Sequence, residues 1–460
     1  MAQSTQLLAS DTIDLREPVA GSSRFVTTTP EPGAQMAEHH HMSRWVQPVL
    51  MILAVWLATS PPIFGYESLA LTISDLVSAA ALVVLAWLAF EGRTWAGWSI
   101  SAVGVWLLFA PLVFSASTAA AMANDMFLGA LVIGLGILVP HGMAMEGPEI
   151  PPGWSYNPST WVQRAPIIAL GLFGFFISRY LAAFQLGHID SAWDPFFGAG
   201  TEQILTSDVS KMFPVSDAGL GAVVYSLEVL MGLMGDHRRW RTMPWMVAGF
   251  GILVIPLGMA QVILIMLQPI AVGTWSTLAL ASAAGMLLMV TLSIDEVVAM
   301  GQLLVAQRRQ GVALWHAFWY GANVDGEDRP SPERTATNRL AASWWGASWP
   351  STLLATAAVG LWLLAAPAVL GTSGAAADSD HLVGALIVTI TAVALAEPTR
   401  AFRYLNVGVG AWLLAAPWMV GGMTGSARLS NLVAGAAVIL FSLPKGRIHD
   451  RYAGWDALIR

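Results

Sequence analysis

Residues able to do chemistry are few in this chain, since only 11% of its 460 residues are charged and 56% are apolar. The absence of cysteine excludes disulfides, thiolate catalysis, Cys-ligated zinc and iron–sulfur clusters within the chain. Glu228 lies near the middle of an apolar segment. An ionisable side chain at such a position is a candidate for a functional role. Its candidate partners are Arg179, Tyr225 and Gln261. A structural hydrogen bond, proton transfer and contact with a polar ligand are the three roles open to it.

The apolar segments that surround these residues predict a membrane protein. A soluble protein carries about 25% charged residues, and about 18 or more consecutive apolar residues are enough to cross a bilayer. The sequence predicts an all-α polytopic membrane protein with about twelve transmembrane helices. They fall at 47–66, 69–90, 95–114, 122–140, 165–184, 218–235, 243–268, 271–297, 351–371, 381–397, 404–421 and 429–443.

The basic residues predict the orientation of these helices. Of the 22 Lys and Arg residues, only Arg179, Lys211 and Arg428 fall on the side opposite to the amino terminus. Segments rich in Lys and Arg stay in the cytoplasm. The sequence therefore predicts a protein of the cell membrane with both termini in the cytoplasm.

Four two-helix units repeat along the chain at a period of about 50 residues. Their first helices read AVWLATSP, GVWLLFAP, GLWLLAAP and GAWLLAAP, starting at 54, 104, 360 and 410. The proline of each unit is expected to end or kink its helix near the outer side. The tryptophans are expected to pack between helices, because small residues around them permit close helix approach.

An acidic or amide residue recurs near the start of each second helix: Asp75, Asp125, Asp380 and Asn431. Helix capping is the favoured interpretation, because Asn caps a helix about as well as Asp does. A row of outward carboxylates that binds cations is the alternative.

This repeat resembles the SPW-repeat membrane family, whose units carry a G-x-W-L run that leads to a proline. The name-giving tripeptide is not intact here, since the matching positions begin with Ser60-Pro61-Pro62 and Ala110-Pro111-Leu112. The resemblance implies a fold unit and brings no established chemistry.

The central block has four helices and a long outer loop at 185–217. The loop end carries Ser207, Lys211 and Phe213, and Gly221 and Tyr225 follow in the next helix. This layout resembles the vitamin K epoxide reductase family. The resemblance implies a four-helix domain that works by thiol–disulfide exchange with a quinone.

The cysteines on which that family depends are missing. The C-x-x-C positions at the start of the fourth helix are occupied by Ser276 and Ala279, and the loop pair would fall within 193–201. A serine hydroxyl forms no reversible two-electron couple. Ser276 is expected to bond back to a backbone carbonyl, or to orient a quinone oxygen. The weak candidates for ligand contacts are Phe213, Tyr225, Glu228, Trp275 and Ser276.

The predicted organisation separates a central domain from two pairs of repeats. The expected segments are a disordered cytoplasmic arm at 1–43, repeats at 44–140, a linker at 141–164, the reductase-like domain at 165–300, a linker at 301–346, repeats at 347–443 and a cytoplasmic tail at 444–460. Adjacent histidines at 39–41 are read as solvated residues in the arm, and no metal site is predicted.

Three classes of function fit these features. A redox-inactive relative of the quinone-coupled reductases would retain a quinone pocket, with a separate Cys-bearing protein as a conceivable partner. A membrane scaffold or partner-binding protein is the second class, and a transporter is the third. The near absence of charge in the repeat spans disfavours transport. The lipid bilayer is an expected partner and nucleic acid is not. Whether the chain is an enzyme is left open by the sequence.

The topology predicts which positions a reagent outside the cell can reach. Single cysteines at Ser191 and Thr424 should react with an impermeant maleimide in intact cells, because both fall in predicted outer loops. A cysteine at Ser331 should react only after permeabilisation. Labelling of Ser331 in intact cells would contradict the predicted orientation.

Overall fold

The computed structural model describes residues 46–93, 95–138, 147–212, 214–325 and 339–459. These ranges are helical and contain isolated bridges rather than strands. A helix occupies each of the twelve predicted positions. They are α1 Val46–Phe64, α2 Leu69–Phe90, α3 Trp95–Val113, α4 Ala119–Leu138, α5 Trp161–Gln185, α6 Asp217–Leu233, α7 Pro244–Val272, α8 Thr277–Arg309, α9 Ser351–Leu370, α10 Ala375–Leu395, α11 Leu405–Met419 and α12 Gly425–Ser442. Short helices lie at Gly200–Thr206, Arg239–Thr242, Leu314–Tyr320, Arg339–Ala342, Glu397–Tyr404, Ala453–Trp455 and Asp456–Ile459.

Ten of the twelve helices are long and apolar enough to cross a membrane. The other two, α6 and α11, have 17 and 15 residues. The 3₁₀ segment Glu397–Tyr404 leads directly into α11. The predicted class is confirmed: the chain is an all-α polytopic membrane protein.

One long helix departs from regular α-helical geometry. Two π-helical segments, Leu253–Leu257 and Gln268–Val272, interrupt α7. Each contains a proline, Pro256 or Pro269. Proline has no backbone N–H and clashes with the preceding turn, which accounts for the local departure from the α-helix.

Connections between helices fall alternately on two sides of the helix bundle. The side that carries 186–216 is called the loop side. The opposite side carries buried arginines and is called the arginine side; they are Arg164, Arg239, Arg241, Arg400 and Arg403.

Glycines bring the two helices of a repeat unit into backbone contact. A Cβ atom at Gly384 would lie 2.7 Å from the carbonyl oxygen of Gly360, and Gly104–Gly129 and Gly410–Gly435 repeat this contact. No side chain fits at such a distance, so glycine permits the close approach. The prolines lie two or three residues before the ends of α1, α3, α9 and α11, as predicted.

Tryptophan side chains join the units in pairs. Each indole N–H donates to a residue on the second helix of the partner unit. The contacts are Trp56 with Asn124 at 2.9 Å, Trp106 with Ser74 at 2.9 Å, Trp362 with Ser430 at 2.9 Å and Trp412 with Ser379 at 3.3 Å. The first and second units are therefore related to one another as the third and fourth are.

The repeated acidic and amide residues are not helix caps, and the capping prediction is wrong. Ser68 and Thr424 cap α2 and α12, and Gly374 precedes α10. Three of these helices, α4, α10 and α12, begin earlier than predicted, and α2 begins at Leu69, six residues before Asp75. The repeated residues therefore lie inside the helices and are buried at the contact between paired units. These residues are Asp75, Asp125, Asp380 and Asn431.

A buried ion pair holds the central helices together on the arginine side. Arg239 donates two hydrogen bonds to Glu296 of α8, at 2.7 and 2.5 Å, and both side chains are at most 4% exposed. The hydroxyl of Ser159 donates to the same carboxylate at 2.5 Å. The segment before α5 and the segment before α7 are thus fixed to α8.

The carboxyl-terminal tail is fixed on the same side by Glu397, which lies between α10 and α11. Its carboxylate accepts hydrogen bonds from the backbone N–H groups of His449 and Asp450 and from the hydroxyl of Tyr452. Asp450 in turn accepts a hydrogen bond from Ser155 in the segment before α5. Both the tail and this segment are therefore packed parts of the fold.

The two neighbouring arginines, Arg238 and Arg239, allow a matched test of charge burial. Glu296→Gln should destabilise the fold by about 3–5 kcal/mol, because it leaves the buried Arg239 without its charge partner. Asp236→Asn removes one ion-pair contact of the partly exposed Arg238 and should cost at most about 1 kcal/mol. Thermal unfolding of the purified protein measures both. Equal losses would contradict the assigned role of Glu296.

Candidate functional site

Ser276, which the sequence analysis aligns with the first cysteine of the C-x-x-C pair, caps α8. Its hydroxyl accepts a hydrogen bond from the N–H of Ala279 at 3.3 Å, and its own N–H donates to Gln268 at 3.0 Å. The predicted bond from Ser276 to a backbone carbonyl is wrong. Because Ser276 precedes the first residue of the helix, it meets free N–H groups there instead of carbonyls.

The outer loop meets Ser276 through a second hydroxyl. Thr201 Oγ1 lies 2.8 Å from Ser276 Oγ, and both residues are buried. Thr201 donates its only hydroxyl proton to Asp194 at 2.7 Å. Ser276 must therefore be the donor to Thr201. In this arrangement the proton of Ser276 is already engaged.

Asp194 connects the loop to the start of α8. Besides Thr201, its carboxylate accepts hydrogen bonds from the hydroxyl of Thr277 at 2.5 Å and from the N–H of Thr277 at 3.2 Å. The N–H groups of Phe196 and Phe197 also donate to it. Asp194, Thr201, Ser276 and Thr277 are named the Asp194 cluster. It forms a hydroxyl–carboxylate network at the start of α8, where the C-x-x-C pair was expected.

The ionisation of Asp194 follows from these contacts. Burial alone would raise its pKa, but the hydrogen bonds from Thr277, Phe197, Thr201 and Phe196 outweigh burial and hold the pKa well below its usual value. Hydrogen bonds that are donated to a carboxylate favour its charged form. Asp194 is therefore ionised at neutral pH and accepts all of these bonds.

The short helix Gly200–Thr206 lies directly against the start of α8. A Cβ atom at Gly200 would fall 2.3 Å from the carbonyl oxygen of Trp275, so this backbone contact requires glycine. The ring of Trp275 makes an edge contact with His381 of α10, with ring centroids 5.5 Å apart. Trp275 thus packs between the central domain and the third repeat.

Tyr225 belongs to a second polar group, deeper in the four-helix core. Its hydroxyl lies 3.1 Å from Gln261 and 2.8 Å from Ser282, and Gln261 donates to Ser282 at 2.9 Å. The three side chains satisfy one another in a closed ring. Ser282 follows Ser276 by six residues, which places this ring about 9 Å further along α8.

Glu228 is buried at 1% exposure. Neither of its carboxyl oxygens has a hydrogen-bond partner among the described residues. The predicted partners are wrong: Tyr225 and Gln261 bond to each other, and Arg179 lies beside a cavity of about 260 Å³ between α4 and α5. The cavity is also lined by Met122, Phe176, Tyr180 and His188.

The candidate ligand residues are therefore distributed over separate places. Ser276 and Ala279 adjoin at the helix start, Tyr225 lies in the core, and Trp275 faces a repeat. Phe213 lies outside the described residues. The sequence reading missed Asp194, Thr201 and Gln268. Asp194 and Thr201 fall within 193–201, the interval in which a cysteine pair was expected. Their carboxylate and hydroxyl side chains could have identified them as polar partners of Ser276.

Comparison with known families agrees with this architecture. Residues 165–294 match the model of the vitamin K epoxide reductase family, and residues 44–139 and 348–445 match the SPW repeat domain. No curated protein and no solved structure matches the chain. The fold and these matches define a multi-pass membrane protein. In particular, the chain carries a vitamin K epoxide reductase family domain, without cysteines, between two pairs of SPW repeats.

Asp194→Asn should loosen the loop from α8, because the amide nitrogen cannot accept the hydrogen bonds that the carboxylate accepts. The closed loop should lose roughly 1.5–3 kcal/mol, and limited proteolysis within 187–206 should become faster. Asp190→Asn, an exposed change in the same loop, is the control and should leave the cleavage rate unchanged.

The same site predicts a pH effect of known sign. Because the pKa of Asp194 is lower in the folded protein, its stabilisation is complete above the usual Asp value and is lost as the pH falls below it. Wild-type cleavage should therefore accelerate in acid, whereas cleavage of Asp194→Asn should not. Equal acid sensitivity in both proteins would contradict the role of Asp194.

Proposed function

We propose that this protein is a redox-inactive membrane scaffold built on a vitamin K epoxide reductase family domain. The observation that carries the proposal is the 2.8 Å contact between the hydroxyls of Thr201 and Ser276. In the reductase family, thiols of the loop and of the helix start exchange electrons here. In this chain, two hydroxyls and a carboxylate form a static hydrogen-bonded network instead.

Electron balance supports inactivity. Quinone reduction needs two electrons, which the family draws from a dithiol, and the only sulfur in this chain is methionine thioether. A thioether offers neither a thiolate nor a disulfide. The hydroxyls of Ser276 and Thr201 cannot replace them, because they form no reversible two-electron couple.

The contacts on the arginine side support a scaffold. Glu296 of α8 joins the segment before α5 to Arg239, and Glu397 joins the connection between α10 and α11 to the tail. The hydroxyl of Thr291 on α8 also donates to the backbone carbonyl of Ala392 on α10 at 2.8 Å, and this buried bond joins the central domain to the repeats. We further propose that the protein resides in the cell membrane with both termini in the cytoplasm, since the basic residues concentrate on that side.

The hydrogen bonds do not favour a retained quinone site. The proton of Ser276 is donated to Thr201, and Tyr225, Gln261 and Ser282 satisfy one another. A quinone oxygen would need a donor, and the hydroxyl protons of Ser276, Tyr225 and Ser282 already have acceptors. Quinone binding is therefore the alternative that the experiment must separate from the scaffold.

The purified chain should contain no quinone on solvent extraction and should reduce none with a dithiol. The double variant Ser276→Cys with Ala279→Cys restores a C-x-x-C pair at a helix start, where the helix dipole lowers the pKa of a thiol. It should still be inactive, because the helix Gly200–Thr206 covers Ser276. Ser276→Cys alone is the control, because it cannot form the pair.

Each outcome of this experiment has one meaning. Turnover by the unaltered chain would overturn redox inactivity. Co-purifying quinone, or turnover gained only by the double variant, would show a retained pocket and overturn the scaffold proposal.

A further inference from the structure

Two buried carboxyls meet between the first and second repeat units, away from the Asp194 cluster. Asp75 of α2 and Asp125 of α4 are both 0% exposed. Tyr66 donates a hydrogen bond to Asp125 Oδ1 at 2.8 Å, and Asn124 donates to the same oxygen at 3.2 Å. Asn124 also donates to Ser60 at 3.1 Å. Asp125 is thus part of a hydrogen-bonded group.

Asp75 points into this group without a donor of its own. Its carboxyl lies against Asp125 and Tyr66. Neither oxygen of Asp75, nor Oδ2 of Asp125, has a hydrogen-bond partner among the described residues. Three buried carboxyl oxygens between α2 and α4 therefore lack a hydrogen-bond donor.

The four helices of the first two units supply no positive charge, and Arg179 of α5 lines the cavity beside α4 at Met122 and Met126. Asp75 is the only ionisable residue of α2, Asp125 is the only one of α4, and α1 and α3 contain none. Tyr66 is the remaining titratable group that faces the pair. Burial, Asp125 and Asp75 raise the pKa of Tyr66 far above its usual value, so Tyr66 stays a neutral donor. Two buried carboxylates side by side cannot both be ionised without a cation.

The second pair of units shows what occupies the equivalent place. There Asp380 corresponds to Asp75 and Asn431 to Asp125, and Asn431 donates a hydrogen bond to Asp380 at 3.0 Å. An amide N–H therefore fills the gap between the two side chains. In the first pair, a carboxyl replaces the amide and the donor hydrogen is missing.

We propose that Asp75 and Asp125 form a proton-binding site in which the two carboxyls share one proton. The shared O–H group takes the place of the amide N–H that Asn431 provides in the second pair. A proton fits between two carboxyls that already touch, whereas a metal cation needs a coordination shell of several oxygens. The site takes up its proton from the loop side, where α2 begins.

Infrared spectroscopy of the purified protein at neutral pH tests the site directly. The wild type minus Asp75→Asn difference spectrum should contain the carbonyl band of a protonated carboxyl, and that band should shift in D₂O. Asp75→Asn recreates the acid–amide pair of Asp380 and Asn431, so the variant should fold. Asp125→Asn is the second variant and should remove the same band. A difference that contains only ionised carboxylate bands would overturn the proposal.

Stability measurements test whether the site binds a proton or a sodium ion. The folded protein holds a proton that the unfolded chain releases at neutral pH, so wild-type melting temperature should fall as the pH rises. This dependence should be weaker in Asp75→Asn and unchanged in Glu67→Gln, an exposed control nearby. Stabilisation of the wild type by sodium but not by potassium, at fixed pH and ionic strength, would assign the site to a metal cation instead.

Discussion

The fold depends on keeping charge out of lipid by pairing it inside the protein. The bidentate contact between Arg239 and Glu296 is the central case, since both groups are almost fully buried. Ser159 reaches the same carboxylate, and Tyr156 donates to the adjacent Asp295 at 2.7 Å. Burial and Asp295 raise the pKa of Tyr156 well above its usual value, so Tyr156 keeps its proton as a donor. Segments that would otherwise be loops are thereby ordered against α8.

The repeats use the same helix contacts in both pairs but surround them with different polar side chains. Backbone contact at glycine and an indole bond between units recur in both pairs. Within this shared frame the central side chains differ: two acids lie in one pair, and an acid and an amide lie in the other. One fold unit therefore presents two distinct polar environments within the same chain.

Sequence reasoning predicted the helices, the repeats and the central domain, because apolar runs and the spacing of Trp and Pro report directly on helices in lipid. It could not predict the arrangement of polar side chains. Asp125 was expected to cap its helix because the sequence places it near the predicted start of that helix. Instead α4 begins at Ala119, six residues earlier, and Asp125 faces its partner unit. The bond between Thr201 and Ser276 joins residues 75 positions apart, and only the folded loop brings them together.

The irregular geometry of α7 adds a constraint on chain length. Gln261 follows the first π-helical segment and bonds to Ser282, while Gln268 begins the second and bonds to the N–H of Ser276. Successive residues in a helix are rotated by about 100°. Loss of a single residue between Gln261 and Gln268 would therefore rotate one glutamine by about 100° relative to the other. The two could then no longer both bond to α8, even though both side chains would still be present. At this helix, the number of residues is as much a part of the design as their identity.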